Sequence, residues 1–592
     1  MHRFAVWAPQ AQRVDLVTDA AGDAPQTQPM VRSEGGWWRD DGPWAEHGTD
    51  YGFRVDGGPL TPDPRSCWQP DGVHGPSRVF DADQHTWQDD GWAGPRKGQG
   101  VLGGVFYELH VGTFTSAGTL DAAAERLDHL VGLGVDVVEL MPVAAFDGPW
   151  GWGYDGVHPY AVHEPYGGPE ALQRFVDACH QRGLGVCLDV VYNHLGPSGN
   201  YLSRFGPYFT DQHHTPWGSA LNLDGEGNLA VRRWLVDNAL RWFRDFHVDA
   251  LRLDAVHELK DDSATHVLAQ LSDETLMLSR ALERPLALIA ESDLNDPRMI
   301  EPTAQDGYGM QAQWSDDLHH ALHAALTGER QGYYVDFGPL EVVARTLTRV
   351  FRHDGGWSTF RERDWGRPVD PERHDARRFL GYLQTHDQVG NRATGDRIGA
   401  VLTPGQQAIG AALVMTSAFT PMVFMGEEWA ASTPWQYFTS FPDHELGEAV
   451  SQGRRREFGT HGWDADDVPD PQDPITRERS VLRWDELQHG DHARMLAWYH
   501  ALISLRRKVK VLTDGRLDGV HVDLDADAGW LRVHRGDLRV VANLAEHAQR
   551  VPLDAEPLDA VLAWDPATTQ LHEADVELGP HAVSVVRVAP SA

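Results

Sequence analysis

Cysteine is scarce: Cys67, Cys179 and Cys187 are the only three in 592 residues. An odd number cannot pair completely, and no two of them stand at metal-knuckle spacing, so neither a disulfide framework nor a cysteine-bound metal is expected. Such usage fits a reducing compartment, and the cytoplasm is the expected location. Long apolar runs are missing too. The opening MHRFAVWAPQ lacks the hydrophobic stretch of a signal peptide, and no segment reaches the roughly 20 residues of a membrane span. Positive charge is short, with 51 Lys and Arg against 87 Asp and Glu, a net charge of −36. That surface repels phosphate backbones and anionic lipid, which argues against nucleic acid and membrane as partners. Histidine is plentiful at 31, with pairs at His213-His214 and His319-His320. No His-Glu-x-x-His or similar chelate occurs, so no metal and no cofactor is expected. Gly225 to Gly227 do not follow a strand and open a helix, so no phosphate cradle is expected either.

What is present is a globular composition, 41% hydrophobic and 23% charged, in a chain long enough for several domains. Residues 1–90 alternate in short segments: Phe4 and Val6, then Val14 and Leu16, then Tyr51, Phe53 and Val55. This predicts an N-terminal β-sandwich. A polar, Gly-rich passage over 81–104 reads as a linker, and beyond it strands and helices alternate. Leu172, Phe175, Val176 and Cys179 form one apolar stripe, stopped by Gly183. Leu235, Ala239, Trp242 and Phe246 form a second, and Leu268, Leu271, Thr275, Leu278 and Leu282 a third. Strands are predicted near 105–109, 135–140, 184–189, 249–254, 286–291, 309–313, 379–384 and 421–424. Eight strand-helix units imply a central (β/α)₈ TIM barrel within 91–510. The connections 195–230, 327–376 and 427–490 are too long for turns, and loops of that size usually build a site. From 511 to 592 the period-two pattern returns, as in Val583, Val585, Val586 and Val588, which predicts a C-terminal β-domain. The fold class is therefore multidomain α/β.

In such a barrel the reactive groups gather at the C-terminal ends of the strands, so polar residues that close apolar runs carry the information. GVCLDVVYNH ends in Asp189, Asn193 and His194; VDALRLDAVHEL carries Arg252 and Asp254; LALIAES delivers Glu291; FLGYLQTHDQVGN delivers His386 and Asp387. Residues two apart on a strand share a face, so Arg252 and Asp254 should be neighbours. A guanidinium beside a carboxylate favours its ionised form, as a nucleophile needs, which makes Asp254 the candidate nucleophile. Glu291 closes an apolar run with no basic residue adjacent in sequence. An apolar setting near other carboxylates raises a pKa, which makes Glu291 the candidate general acid. Two carboxylates in opposed environments are what glycoside cleavage needs, with Asp387 as a third, supporting one. The 22 Trp supply indole faces that stack on sugar rings, although most belong to the core.

These four segments resemble the four short conserved regions of the α-amylase superfamily, glycoside hydrolase family thirteen, in their usual order. FAVWAPQAQRVDLV resembles the carbohydrate-module sandwich that precedes the barrel in its branching, debranching and trehalose-releasing members. YELHVGTFTSAGTLDAA, WGWGYDGVHPYAVHEPYGGPEAL and LQTHDQVGNRATGDR resemble the trehalose-releasing members, so the likeness covers nearly the whole chain. It implies hydrolysis, with retention, of the α-1,4 bond next to the terminal trehalose of malto-oligosyltrehalose, with related α-glucans as further ligands. By motif it assigns Asp254 as nucleophile, Glu291 as acid/base and Asp387 as stabiliser. Tyr154 would stack on the sugar under attack, with His194, Arg252 and His386 hydrogen-bonding it. His257-Glu258 stands where amylases carry Lys-His, so the leaving-group side should differ. Asp316, Asp317, His319 and His320, together with Gln388 and Asn391, are further expected substrate contacts. Relatives with amylase activity often hold calcium near the position of Asn193, but no dense carboxylate cluster follows it here, which favours Asn193 as a loop hydrogen bonder. A branching or debranching enzyme shares the scaffold, but Gln-Val-Gly-Asn follows Asp387 where branching enzymes show Glu-Val. A non-catalytic carbohydrate-binding relative would have lost a carboxylate.

Overall fold

The structure is a computed structural model that describes residues 3–42, 44–459 and 467–589. Eight parallel strands close into a barrel: β1 (Phe106–Leu109), β2 (Val137–Leu140), β3 (Gly185–Val190), β4 (Ala250–Leu253), β5 (Ala287–Ala290), β6 (Ala312–Trp314), β7 (Phe379–Tyr382) and β8 (Thr420–Phe424). All eight lie where the apolar runs put them. The largest shift is at β6, which begins at Ala312 because Gly309 adopts a φ of 72°, outside the strand region for other residues. β7 ends at Tyr382, and Thr385 caps the short helix His386–Gly390.

The inward faces explain how the strands build a site. Phe106, Val137, Cys187, Ala250, Ala287, Ala312, Leu380 and Met422 form an apolar plug across the barrel. Two residues further along the strands, on the same face, the side chains become Glu108, Glu139, Asp189, Arg252, Trp314 and Tyr382; Asp254, Glu291 and Asp316 lie beyond them. A polar layer thus rests on a greasy floor, open only at the C-terminal face.

The outer helices bury the predicted stripes: α1 (Leu127–Leu133), α2 (Gly168–Gln181), α3 (Asn228–Asp245), α4 (Val267–Ala281), α5 (Asp316–Thr327), α6 (Pro404–Thr416) and α7 (Gly490–Lys508). One stripe is shorter than expected. Leu268, Leu271 and Thr275 are buried, whereas Leu282 lies beyond the end of α4 and is 40% exposed. β5 is followed by two short 3₁₀ turns instead of a long helix. The long connections are structured. Residues 195–230 contain a hairpin (Phe209–Thr215 with Gly218–Leu221), and 327–376 contain a helix and a second hairpin (Gly356–Ser358 with Arg363–Trp365). The third, 427–490, contains a helix (His444–Gly459), and its stretch 460–466 lies outside the described residues.

At the N-terminus a three-stranded and a four-stranded antiparallel sheet enclose Phe4, Val6, Val14, Leu16, Tyr51 and Phe53, all buried. The C-terminal part pairs a five-stranded with a three-stranded sheet, with Val583, Val585, Val586 and Val588 buried. No helix of the described residues is long and apolar enough to cross a membrane.

Candidate active site

Arg252 organises the mouth of the barrel. Its side chain is completely buried, and Nη1 donates to Asp189 at 2.9 and 2.8 Å and to Asp254 Oδ1 at 2.7 Å. Nη2 lies 3.6 Å from Glu291 Oε2, and the guanidinium sits 4.4 Å from the centroid of the Trp314 ring, a favourable cation–π contact. One fixed cation therefore touches Asp189, Asp254 and Glu291 from strands β3, β4 and β5. Arg252 and Asp254 are the neighbours that period two predicts, and Arg252 also reaches Glu291.

The two flanking carboxylates are held differently. Asp254 Oδ2 accepts from Asn193 Nδ2 at 2.8 Å, and the same amide group also reaches the Asp254 carbonyl at 2.8 Å. Glu291 Oε2 accepts from the backbone N–H of Ala255 at 2.5 Å. Ala255 takes a φ of 38°, a left-handed conformation unusual for alanine. This turn lets the residue after Asp254 point its N–H at Glu291. Burial pushes the Glu291 pKa up to about 8; Arg252 opposes this, while Asp254, Asp387 and Asp316 add to it.

His386 links the site to the polar layer below. Its Nδ1 lies 2.5 Å from Glu108 Oε1, and its backbone N–H donates to Glu108 Oε2 at 2.9 Å. Burial lowers its pKa, but Glu108 and Asp387 outweigh that and raise it to about 9, so it is a cation at neutral pH. Tyr154 donates to Asp189 Oδ2 at 2.7 Å, and its hydroxyl lies 2.7 Å from His386 Nε2. Its ring stacks on the His386 imidazole at 5.2 Å. Gly153 precedes it with a φ of 102°, where a Cβ would fall 2.3 Å from the Pro142 carbonyl oxygen, so only glycine presents Tyr154 in this way. His194 Nε2 lies 3.0 Å from the Tyr154 carbonyl oxygen, and the exposed Trp217 ring stacks on His194 at 4.5 Å. Asp387 is 40% exposed and lies 3.5 Å from His386 Nε2, with Asn391 Nδ2 3.3 Å from its Oδ1.

The remaining expected contacts divide. Asp316 faces the site: Tyr382 donates to its Oδ1 at 2.5 Å and Gln388 Nε2 at 3.3 Å. Burial raises its pKa to about 6; the Tyr382 hydrogen bond opposes this and Asp387 adds to it. His257 and Glu258 form a rim with Lys260 and Asp293; His257 Nε2 is 3.7 Å from Asp293, and Lys260 is 3.3 Å from Glu258. Asp317 points elsewhere. It is buried and accepts from Asn295 Nδ2 and from the N–H groups of Arg352 and His353 at 3.0, 2.6 and 3.2 Å. His319 is buried between the Leu383 carbonyl oxygen at 2.7 Å and the Tyr334 hydroxyl at 2.9 Å, and His320 packs on Tyr333 and Phe337. These three brace α5 and its neighbours.

Several members of the cluster were not among the expected contacts. Glu108 and Trp314 stand inside strands, and Asn193 holds Asp254. Glu139 is fully buried beside Cys187, and burial, Glu108 and Asp189 push its pKa up to about 8 against the opposing pull of Arg252 and the Cys187 thiol. A lone acid in an otherwise apolar strand, YEL or VVEL, was the available signal. Asn193 has its amide nitrogen on Asp254 and its oxygen on the His194 ring, so it acts as a hydrogen bonder between the two.

A closed (β/α)₈ barrel with Asp189, Asp254 and Glu291 around a buried arginine, and Asp387 beside His386, defines a glycoside hydrolase of the α-amylase superfamily. Residues 76–216 match the α-amylase catalytic-domain family, 1–65 match carbohydrate-binding module 48 (the isoamylase N-terminal domain), and 515–585 match a domain of unknown function. The malto-oligosyltrehalose trehalohydrolase of Arthrobacter ramosus is 55% identical over 93% of this chain and 94% of its own. A 1,4-α-glucan branching enzyme of Nitratidesulfovibrio vulgaris is 35% identical over 43% of each chain. The crystal structure of an α-amylase-like protein from Salmonella typhimurium superposes with a TM-score of 0.88 at 36% identity, covering 99% of this chain and 97% of that one. The chain belongs to the malto-oligosyltrehalose trehalohydrolase family.

Proposed function

We propose that this chain is a retaining hydrolase that cleaves the α-1,4-glucosidic bond next to the terminal trehalose of malto-oligosyltrehalose in the cytoplasm, releasing trehalose and a malto-oligosaccharide. Its catalytic unit spans 91–510, between an N-terminal sandwich (1–90) and a C-terminal β-domain (511–592). The observation that carries the reading is the shared arginine: Arg252 hydrogen-bonds Asp254 at 2.7 Å and lies 3.6 Å from Glu291, and burial pushes Glu291 up to about 8. Asp254 is thereby the anion that attacks the anomeric carbon, and Glu291 the acid that protonates the departing oxygen. In the first half-reaction a bond forms between Asp254 and C1, the bond from C1 to the trehalose oxygen breaks, and the Glu291 proton goes to that oxygen. In the second, water attacks C1, Glu291 takes its proton and Asp254 leaves as a carboxylate. Asp387 orients sugar hydroxyls. Tyr154 carries the ring of the sugar under attack, and His194, Arg252, His386, Asp316, Gln388 and Asn391 supply polar contacts. His257, Glu258, Lys260 and Asp293 line the leaving-group side. The net charge of −36 sits well with a neutral sugar ligand and poorly with nucleic acid.

The test offers the protein malto-oligosyltrehalose, plain maltodextrin and a branched glucan in parallel. Free trehalose accumulating fastest, with the malto-oligosaccharide released as its α-anomer, is the expected result. Transfer of chains to new branch points, or faster cleavage of unmodified maltodextrin, would remove the assignment.

A further inference from the structure

Away from the catalytic carboxylates, three side chains from separate segments meet under the hairpin that carries Trp217. His213 lies on the hairpin's first strand, Asp224 precedes α3, and Asp262 lies in the connection that leaves β4 for α4. One ligand atom from each lies within 4.8 Å of the others. His213 Nε2 is 2.8 Å from Asp224 Oδ2, and the Asp262 N–H donates to that oxygen at 2.9 Å. The other oxygen of the same carboxylate, Asp224 Oδ1, is buried and receives no hydrogen bond from any other described residue, on a side chain only 10% exposed. A buried carboxylate oxygen without a donor is costly and calls for one.

No lysine or arginine among the described residues supplies it; the ion pair of Asp224 is with His213. The contrast with the chain's other His/Asp cluster is instructive. There His521, Asp523 and His534 also converge, but Arg532 Nη2 lies 2.5 Å from Asp523, so the chain already provides the positive charge. At Asp224 it does not. Two carboxylates and a neutral imidazole balance a divalent cation, and ligands about 2.1 Å from a metal in cis positions sit roughly 3 Å apart, close to the 2.8 Å between His213 and Asp224. Imidazole with carboxylates suits a first-row transition ion over calcium or magnesium.

We propose that His213, Asp224 and Asp262 bind a divalent cation of the Mn²⁺ or Zn²⁺ type, which ties the hairpin to the start of α3 and to the connection after β4. The role is structural. The hairpin holds Trp217 against His194 at 4.5 Å, so fixing it fixes one wall of the cleft; the effect on substrate, unlike the binding itself, rests on the function proposed above.

The test uses tag-free, chelator-stripped full-length protein titrated with MnCl₂ and with ZnCl₂ by calorimetry, with Mn²⁺ paramagnetic resonance as a second readout. One saturable equivalent with micromolar affinity is expected, weakened at least tenfold in His213→Gln and in Asp262→Asn and unchanged in His521→Gln. Asp262 is exposed, so its substitution leaves the fold intact. Added metal should raise the melting temperature of the wild type but not of Asp262→Asn. Absence of saturable binding below millimolar metal overturns the proposal, as does binding that persists in Asp262→Asn and His213→Gln. Metal binding with normal affinity in a protein that releases no trehalose would leave the site standing and remove only the functional reading.

Discussion

Glu291 shows how a single side chain sets both rate and stability. Burial, followed by the net effect of its charged neighbours, holds its pKa near 8 against 4.5 for the free side chain. A general acid must hold its proton, so kcat/KM should fall as pH rises through about 8, and Glu291→Gln should lose that limb with a loss of about 10²- to 10⁴-fold in turnover. Asp254→Asn should fall at least as far. Both should give circular-dichroism spectra like the wild type; wild-type rates in either would end the assignment. The stability consequence has a definite sign. A carboxyl whose pKa is raised on folding binds its proton more tightly when folded, so this contribution is present below about 4.5 and is lost as pH climbs through about 8. Glu291→Gln should therefore melt above the wild type at pH 9 and lose that advantage at pH 4, read by thermal scans at the two values.

At the scale of elements, barrel strands were legible as short apolar runs, most of them closed by a polar residue at the C-terminal end. Arg252 on β4 and Asp254 just past its end, two apart on one face, could only be neighbours. The helix that follows β6 was not resolvable in this way. QWSDDLHH offers two adjacent acids and two adjacent histidines, and neighbouring residues on a helix point about 100° apart, so one acid faces the cleft and the other the packing. Asp316 took the first place and Asp317 the second. Likewise His213 could be seen as half of a histidine pair, but Asp224 lies 11 residues on and Asp262 a further 38, separations no motif connects. Asp317 therefore carries its own prediction. Asp317→Ala strands donors on Asn295, Arg352 and His353 and should cost about 3 kcal/mol in urea unfolding, with KM near the wild-type value. An elevated KM with an unchanged unfolding midpoint would instead put Asp317 against the substrate.

Across the whole molecule, the question is how the N-terminal sandwich is held on the barrel. The sequence marks both units by a change of period from two to alternating strand and helix, but periodicity carries no information about docking between them. The seam is broad, with Trp7 on Tyr208, Phe53 on Phe205 and Trp68 hydrogen-bonded to Glu164, and one polar part of it centres on α3. Arg65 Nη1 donates to Asp237 Oδ2 at 2.8 Å and to the Tyr160 hydroxyl at 3.0 Å, and Trp234 Nε1 donates to the Pro64 carbonyl oxygen at 2.9 Å. In a chain carrying 36 excess negative charges, a cation at such a seam offsets repulsion as well as pairing locally. The Arg65 side chain is 23% exposed, so solvent screens part of the attraction and the ion pair is worth about 1 kcal/mol. Arg65→Ala should therefore loosen the seam without unfolding either partner. Hydrogen exchange should quicken over 234–241 on α3 and stay slow in the sandwich core strands 14–18 and 50–55, because those are held by their own packing. Raised ionic strength should narrow the difference between variant and wild type by weakening the wild-type pair. Uniform acceleration across the sandwich would show that Arg65 supports the module's fold and not its attachment.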